Sequence, residues 1–421
     1  MLEIVADLPN LSHYPLFSGS GIQESQLLAP DPSLPRARGA LHRPYLRRLR
    51  FSTRESAATG GTGMTGDHIG LSLRRLEDER FLTGQGRYVD DIAVPGQLHG
   101  VVVRSPHGHA VIESIDAAAA RTMPGVHGVF TAADLDADGI GTLPCIARVA
   151  TVAPMVVPPR RALASGRVRH VGDPVVLVVA DTAEQARDAA ERVDVVYRPL
   201  PAVVDAKDAL AAQAPLLWDE APGNLSYRFE RGDKPAVDAA FAAAAHIIEI
   251  ELVNNRLVVA PIEPRAAIGT YDAAGDSFDL LLTGQGVHSL RQQLAAAVFN
   301  MPPERITVRA PDVGGGFGVK NFLYPEWVLV LWAARRLGRP VKWVAERGEE
   351  FISSAQGRDN LRERAWRSTA TAGFLHSMSI RSPISAPICR PTARAVRPTR
   401  RPVPWAESMT SRPCLWRCAA S

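Results

Sequence analysis

The chain has 421 residues, with 48 basic against 44 acidic, a formal net charge of +4 and 46% hydrophobic residues. That length suits two or three domains, and no apolar run approaches the roughly eighteen residues that a membrane-spanning helix needs. Four cysteines, of which only Cys145 precedes residue 389, argue against a disulfide-stapled secreted scaffold.

Residues 1–63 hold seven Arg and five acidic residues among scattered Pro and Ser, with no sustained period. Such a segment builds no core. Arg47-Arg48 faintly suggests a twin-arginine export signal, but no apolar stretch follows. Two accounts fit: the true start is Met64 and the preceding text is upstream sequence read as protein, or the segment is a disordered leader.

Patterned sequence begins with Arg74-Arg-Leu-Glu-Asp-Glu-Arg-Phe-Leu-Thr-Gly-Gln-Gly-Arg-Tyr-Val-Asp-Asp91 and continues in Val101-Val-Val-Arg-Ser-Pro-His-Gly-His-Ala110. His107 and His109 form an H-x-H pair, but a zinc site needs at least three protein ligands and none is spaced to join them. A structural role is expected for both. In Val168-Arg-His-Val-Gly-Asp-Pro-Val-Val-Leu-Val-Val-Ala180 the apolar run from Pro174 predicts a buried strand. Thr182 and Gln185 then have the spacing of a capping box, predicting a helix over 183–192 and a strand over 193–197.

Pro261-Ile-Glu-Pro-Arg265 offers Glu263 and Arg265 either as a catalytic pair or as a turn closed by a surface ion pair. Leu281-Leu-Thr-Gly-Gln-Gly-Val-His-Ser-Leu290 is a strand end entering a helix, whose core face is Val287, Leu290, Leu294 and Val298. Gln285 falls on the turn between them, where an amide that both donates and accepts can reach a ligand or simply meet solvent. Residues 305–310 alternate as a half-buried strand and lead into Gly314, Gly315, Gly316, Phe317 and Gly318. Consecutive glycines make either a tight turn with positive φ or a nest of N–H groups around an anionic ligand. A helix over 324–337 follows, stopped by Gly338 with Pro340 beyond. Strands and helices alternate throughout, predicting a mixed α/β (α+β) fold.

From Leu361 to Ser421 the text changes: eleven Arg and no Lys, two Glu and no Asp, and seven Pro. This is the composition of a GC-rich gene translated out of frame, and it predicts a disordered tail. Residues 64–360 carry 30 basic against 37 acidic residues, so the pI near 9.0 comes from the two ends. The basic balance is therefore not a nucleic-acid footprint.

Taken in order, the motifs between roughly residues 70 and 360 resemble the large molybdenum-binding subunit of the molybdenum hydroxylases. That group includes xanthine dehydrogenase, aldehyde oxidase and aerobic carbon monoxide dehydrogenase. The resemblance implies an α/β-hammerhead domain over 64–205 and a first, incomplete molybdopterin-binding domain over 206–360. A non-native or disordered leader (1–63) and an out-of-frame tail (361–421) flank them. It implies a molybdenum–molybdopterin cofactor, with the cytosine dinucleotide as one form, and 2Fe-2S and FAD carried by partner subunits. The family assembly is a cytoplasmic dimer of heterotrimers.

By position, Gln285 would hydrogen-bond the metal's oxo ligand. The backbone of Gly316, Phe317 and Gly318 would approach the pterin and metal ligands, with Gly314 and Gly315 allowing the turn. The resemblance assigns no side chain as a metal ligand, and the family's catalytic glutamate belongs to a later half of the subunit. In the purine branch a glutamate directly follows the lysine after the nest. Here Lys320 is followed by Asn321, which counts against xanthine and favours an aldehyde-type substrate hydroxylated with water as oxygen donor. The expectation is an oxidoreductase fragment, inactive as written. The alternatives are a carbon monoxide dehydrogenase fragment and a non-catalytic module that binds the iron–sulfur and flavin subunits.

Overall fold

The computed structural model describes residues 72, 74–147 and 153–368, together with the backbone of strands at 374–381, 383–384 and 416–420. The expectations for the leader, Met64 and Arg47-Arg48 lie outside the described residues. From Arg74 onward the described residues form one compact unit.

Its centre is a seven-stranded sheet. In chain order its strands are β1 (Leu98–Arg104), β3 (Val126–Phe130), β5 (Pro174–Ala180), β9 (Ala266–Asp272), β10 (Ser277–Leu282), β11 (Ile306–Arg309) and β12 (Val341–Val344), after β2 (Ala110–Asp116), β4 (Arg167–Val168), β6 (Asp194–Pro199), β7 (Tyr227–Arg231) and β8 (His246–Asn254) are counted. The spatial order is β11-β10-β9-β12-β1-β5-β3. β1 pairs in parallel with β12 through Leu98–Val341 and His99–Lys342. The expected domain boundary at 205/206 is therefore bridged by a continuous sheet. β2, β4 and β6 form a small separate sheet beside it.

Burial follows the sequence pattern. Every residue of β5 is buried, as a continuous apolar run requires. The helix Pro325–Leu337 is buried from Pro325 through Ala334, so it lacks a solvent face until its last turn. Trp327, Trp332 and Trp343 are among the largest enclosed side chains of the core. Gly338 ends that helix at φ 64, the left-handed stop expected of it. The helix expected after Gln285 is present as Val287–Gln293, continuing in a wider turn over Leu294–Phe299, with Leu290, Leu294 and Val298 buried.

The predicted capping box is formed. Gln185 N–H donates to Thr182 Oγ1 at 3.2 Å, and Thr182 N–H donates to Gln185 Oε1 at 3.1 Å, opening the helix Ala183–Ala190. Thr182→Ala should lower the unfolding free energy by about 1 kcal/mol in urea titrations. An unchanged midpoint would mean the cap is redundant with the sheet.

The C-terminal boundary differs from expectation. β13 (Asn360–Ser368) runs past residue 360 and pairs antiparallel with β8 along nine consecutive residue pairs, from Asn360–Asn254 to Ser368–His246. Ladder bonds use backbone groups only, so a half-exposed ribbon tolerates Arg362, Arg364 and Arg367 where a core strand would not. The backbone of β14 (Phe374–Arg381), β15 (Pro383–Ile384) and β16 (Trp416–Ala420) extends this second sheet to β7. The rest of the tail lies outside the described residues. Among those residues, no helix is long and apolar enough to cross a membrane.

Candidate functional site

The glycine loop between β11 and the helix Pro325–Leu337 is held at its start by Asp312. Its carboxylate pairs with the Arg80 guanidinium and accepts the Arg87 N–H at 2.7 Å, tying the loop to the 74–91 segment. Gly315 (φ +102), Phe317 (φ +46) and Gly318 (φ +85) then take left-handed conformations, turning successive amides to one side. Among the described residues, the N–H groups of Gly315, Gly316 and Phe317 have no protein acceptor. Three adjacent backbone donors on a half-buried loop are thus left free to meet a ligand or solvent. The tight turn with positive φ that the glycines allowed is present. Phe317 projects from its tip, 76% exposed.

Gln285 meets this loop directly. Its Oε1 accepts the Gly318 N–H at 3.0 Å. Because a backbone N–H can only donate, the bond fixes which end of the amide faces Gly318 and leaves Nε2 with two protons to offer. The fit is close: a Cβ on Gly316 would stand 2.4 Å from Gln285 Cδ. All six residues singled out by the sequence, Gln285 and Gly314 to Gly318, therefore come together.

Beneath them lies a pair that sequence reasoning missed. Glu263 Oε2 accepts the Gly314 N–H at 2.6 Å and the Lys320 ammonium at 3.2 Å. Lys320 Nζ also donates to the Glu263 carbonyl at 2.7 Å, and its own carbonyl accepts the Gln285 N–H at 2.9 Å. The Lys320 side chain is fully enclosed. Burial lowers its pKa, with Glu263 opposing the shift. The available signal was a lysine two residues past the last nest glycine, where a cation has no solvent to face.

The reading of Glu-Pro-Arg as a surface turn is corrected. Arg265 is 0% exposed. Its guanidinium pairs with Glu326 at 3.1 Å and Glu350 at 3.0 Å, donates to Ser353 Oγ at 2.5 Å and lies 3.8 Å over the Tyr324 ring. Arg104 on β1 joins through Glu326 at 2.6 Å and Glu349 at 2.5 Å. Burial pushes the Glu326 carboxyl up, but Arg265 and Arg104 outweigh it and bring it down to about 2. Glu263 and Arg265 are thus not a catalytic pair. They serve two different networks.

His107 and His109 are each held by local contacts. The His107 ring packs edge-on against Tyr197 at 5.0 Å, and His109 Nδ1 lies 2.9 Å from the Pro201 carbonyl. Among the described residues, no cluster of three or more His, Cys, Asp or Glu could hold a metal ion.

Residues 83–201 match the aldehyde oxidase and xanthine dehydrogenase a/b hammerhead domain, and residues 217–365 match the molybdopterin cofactor-binding domain. The chain is 36% identical over 296 residues to the carbon monoxide dehydrogenase large chain of Hydrogenophaga pseudoflava, an alignment covering 67% of this chain and 36% of that one. It is 36% identical over 298 residues to the nicotine 6-hydroxylase large subunit of Paenarthrobacter nicotinovorans, covering 71% and 36%. A crystal structure of the Cu,Mo-CO dehydrogenase in its carbon monoxide reduced state superposes with a TM-score of 0.71 at 31% identity, covering 83% of this chain and 44% of that one. The chain spans little more than a third of the length of these curated relatives.

Proposed function

The chain belongs to the molybdenum hydroxylase large-subunit family, and from that premise we propose that Gln285 and the Gly314–Gly318 nest are its contribution to binding the molybdenum–molybdopterin cofactor. The observation that carries this reading is the convergence of three unpaired backbone donors with one amide whose acceptor is already used. Donors of that kind suit a group rich in acceptor atoms. When bound, the cofactor supplies the oxidation of a small substrate with water as oxygen donor.

The chain's own residues bind and orient it. Gln285 Nε2 would donate to an acceptor on the cofactor, and the amides of Gly315, Gly316 and Phe317 would line the approach. Glu263 is committed to Lys320 and the Gly314 N–H, so it is not the general base. That base comes from outside the described residues. The substrate is of aldehyde type, with carbon monoxide as the alternative, because position 321, directly after Lys320, holds Asn rather than the glutamate of the purine branch. Partner subunits carrying 2Fe-2S and FAD would accept the electrons in a dimer of heterotrimers, and the cofactor would be of the cytosine dinucleotide form.

An anaerobic titration of the ¹⁵N-glycine-labelled chain with molybdenum cofactor released from a donor enzyme tests the reading. Amide shifts confined to Gly314–Gly318 and abolished by Gln285→Leu are expected. Shifts elsewhere, or none at saturating cofactor, would overturn it. The purified 421-residue chain is itself expected to lack dye-linked aldehyde oxidation, and near-stoichiometric molybdenum with turnover would contradict that.

A further inference from the structure

We infer that Glu263 and Lys320 are positioning residues that set the aim of Gln285 and the curvature of the nest, so that the cofactor-facing donors are preformed before any ligand arrives. The pair closes a circuit. Glu263 grips the start of the loop from both directions, through its Oε2 to the Gly314 N–H at 2.6 Å and through its own N–H to the Gly314 carbonyl at 3.1 Å. Lys320, at the loop's far end, is drawn to the same residue by two bonds, 2.7 Å to the Glu263 carbonyl and 3.2 Å to Oε2. The five residues between Gly314 and Lys320 are therefore spanned by one clamp.

The clamp reaches the amide by a short route. Lys320 O accepts the Gln285 N–H at 2.9 Å, and Gln285 Oε1 accepts the Gly318 N–H at 3.0 Å. Moving Lys320 moves both ends of Gln285, its backbone through the first bond and its side chain through Gly318. A core ion pair serving stability alone needs no such connection. The Arg265 cluster makes the contrast, since among the described residues Arg265, Glu326 and Glu350 make no hydrogen bond to the nest or to Gln285. The side-chain hydrogen bonds of Glu263 run through Oε2, to the Gly314 N–H and the Lys320 ammonium.

This inference rests on the proposed cofactor site, yet its test requires no cofactor. The full chain is labelled with ¹⁵N-glycine and ¹⁵N-glutamine. Amide hydrogen exchange at Gly314 and Gly318 and the side-chain NH₂ resonances of Gln285 are followed in Glu263→Gln and Lys320→Met. Gly269, in the middle of β9, serves as the reference for the fold. Loss of one aligned hydrogen bond should speed Gly318 exchange by about tenfold or more, with the Gln285 NH₂ signals moving to the values of free glutamine and Gly269 unchanged. Lys320→Arg, which keeps the donor, should retain most of the Gly318 protection.

Equal acceleration at Gly269 and Gly318 would assign the pair to the fold alone and overturn the inference. Unchanged Gly318 exchange in a folded variant would overturn it as well. Glu263→Gln is nearly isosteric and keeps the Lys320 bond to the Glu263 carbonyl, so it remains informative if Lys320→Met does not fold. Should the wild-type chain fail the cofactor titration while the variants lose Gly318 protection, the cofactor reading falls and the positioning circuit stands.

Discussion

Arg265→Met is expected to destabilise the chain by about 3–5 kcal/mol, because removing one partner of a buried ion pair strands the others. Here two carboxylates are stranded at once: Glu326 and Glu350 are 1% and 0% exposed, and both bond Arg265. Methionine fills much of the volume but offers neither charge nor the donor that Ser353 Oγ accepts. Arg104 still reaches Glu326 and Glu349, so half of the network survives. Urea unfolding at neutral pH measures the loss, and a change below about 1 kcal/mol would show that the carboxylates are hydrated despite their apparent enclosure.

The same network gives the protein an acid limb whose sign is fixed. Glu326 titrates at about 2 in the folded chain against an ordinary value of 4.5. A carboxylate with a depressed folded pKa stabilises in full above its unfolded pKa, and that contribution is lost as pH falls through the folded value. The wild-type chain should therefore lose about 3 kcal/mol from this group between pH 4.5 and 2. In Arg265→Met the Glu326 carboxyl returns towards its ordinary value or above, and the acid limb flattens. Parallel stability–pH curves for the two proteins would show that Arg104 alone holds Glu326 ionised.

Why the glycine turn was legible and its support was not follows from how each is encoded. Gly314 to Gly318 announce their backbone geometry by having no Cβ, and Gln285 is placed by the end of one local pattern and the start of another. Such information sits within a few residues. The Glu263–Lys320 pair is joined across 57 positions and Arg265–Glu350 across 85, so neither spacing implies contact. Burial decides what these residues do, and a charged residue's local sequence gives little sign of it. Glu326 is the exception. A single acid in Pro-Glu-Trp-Val-Leu-Val-Leu-Trp, at the start of a helix buried all round, must have a cationic partner inside the core. Read that way, Glu326 would have turned Glu-Pro-Arg from a surface turn into an interior anchor. The bridged domain boundary was hidden for a related reason, since β1 and β12 are joined by two parallel pairs between strands far apart in the chain.

Gly316→Ala should separate binding geometry from folding more cleanly than any other single change. Nothing in the backbone forbids alanine, because Gly316 is absent from the positive-φ residues. The obstruction is the Gln285 side chain, with Cδ at 2.4 Å, Oε1 at 2.7 Å and Cγ at 2.8 Å from the added Cβ. That chain is flexible, so it rotates away rather than forcing the loop apart, and the Gly318 N–H loses its acceptor. The expected cost in stability is at most about 1 kcal/mol, the net worth of one hydrogen bond. The expected cost in function is far larger. Misplacing one preorganised donor typically reduces kcat by about 10²–10³, and the effect should appear in any assembly that restores turnover around this chain. Two readouts need no turnover: faster Gly318 exchange, and loss of the cofactor-induced glycine shifts. Gly348→Ala is the matching control, since a Cβ there meets nothing within 4 Å. If Gly316→Ala keeps both the Gly318 protection and the cofactor shifts, Gln285 does not direct the site, and the donors that matter are the backbone amides of Gly315, Gly316 and Phe317 alone.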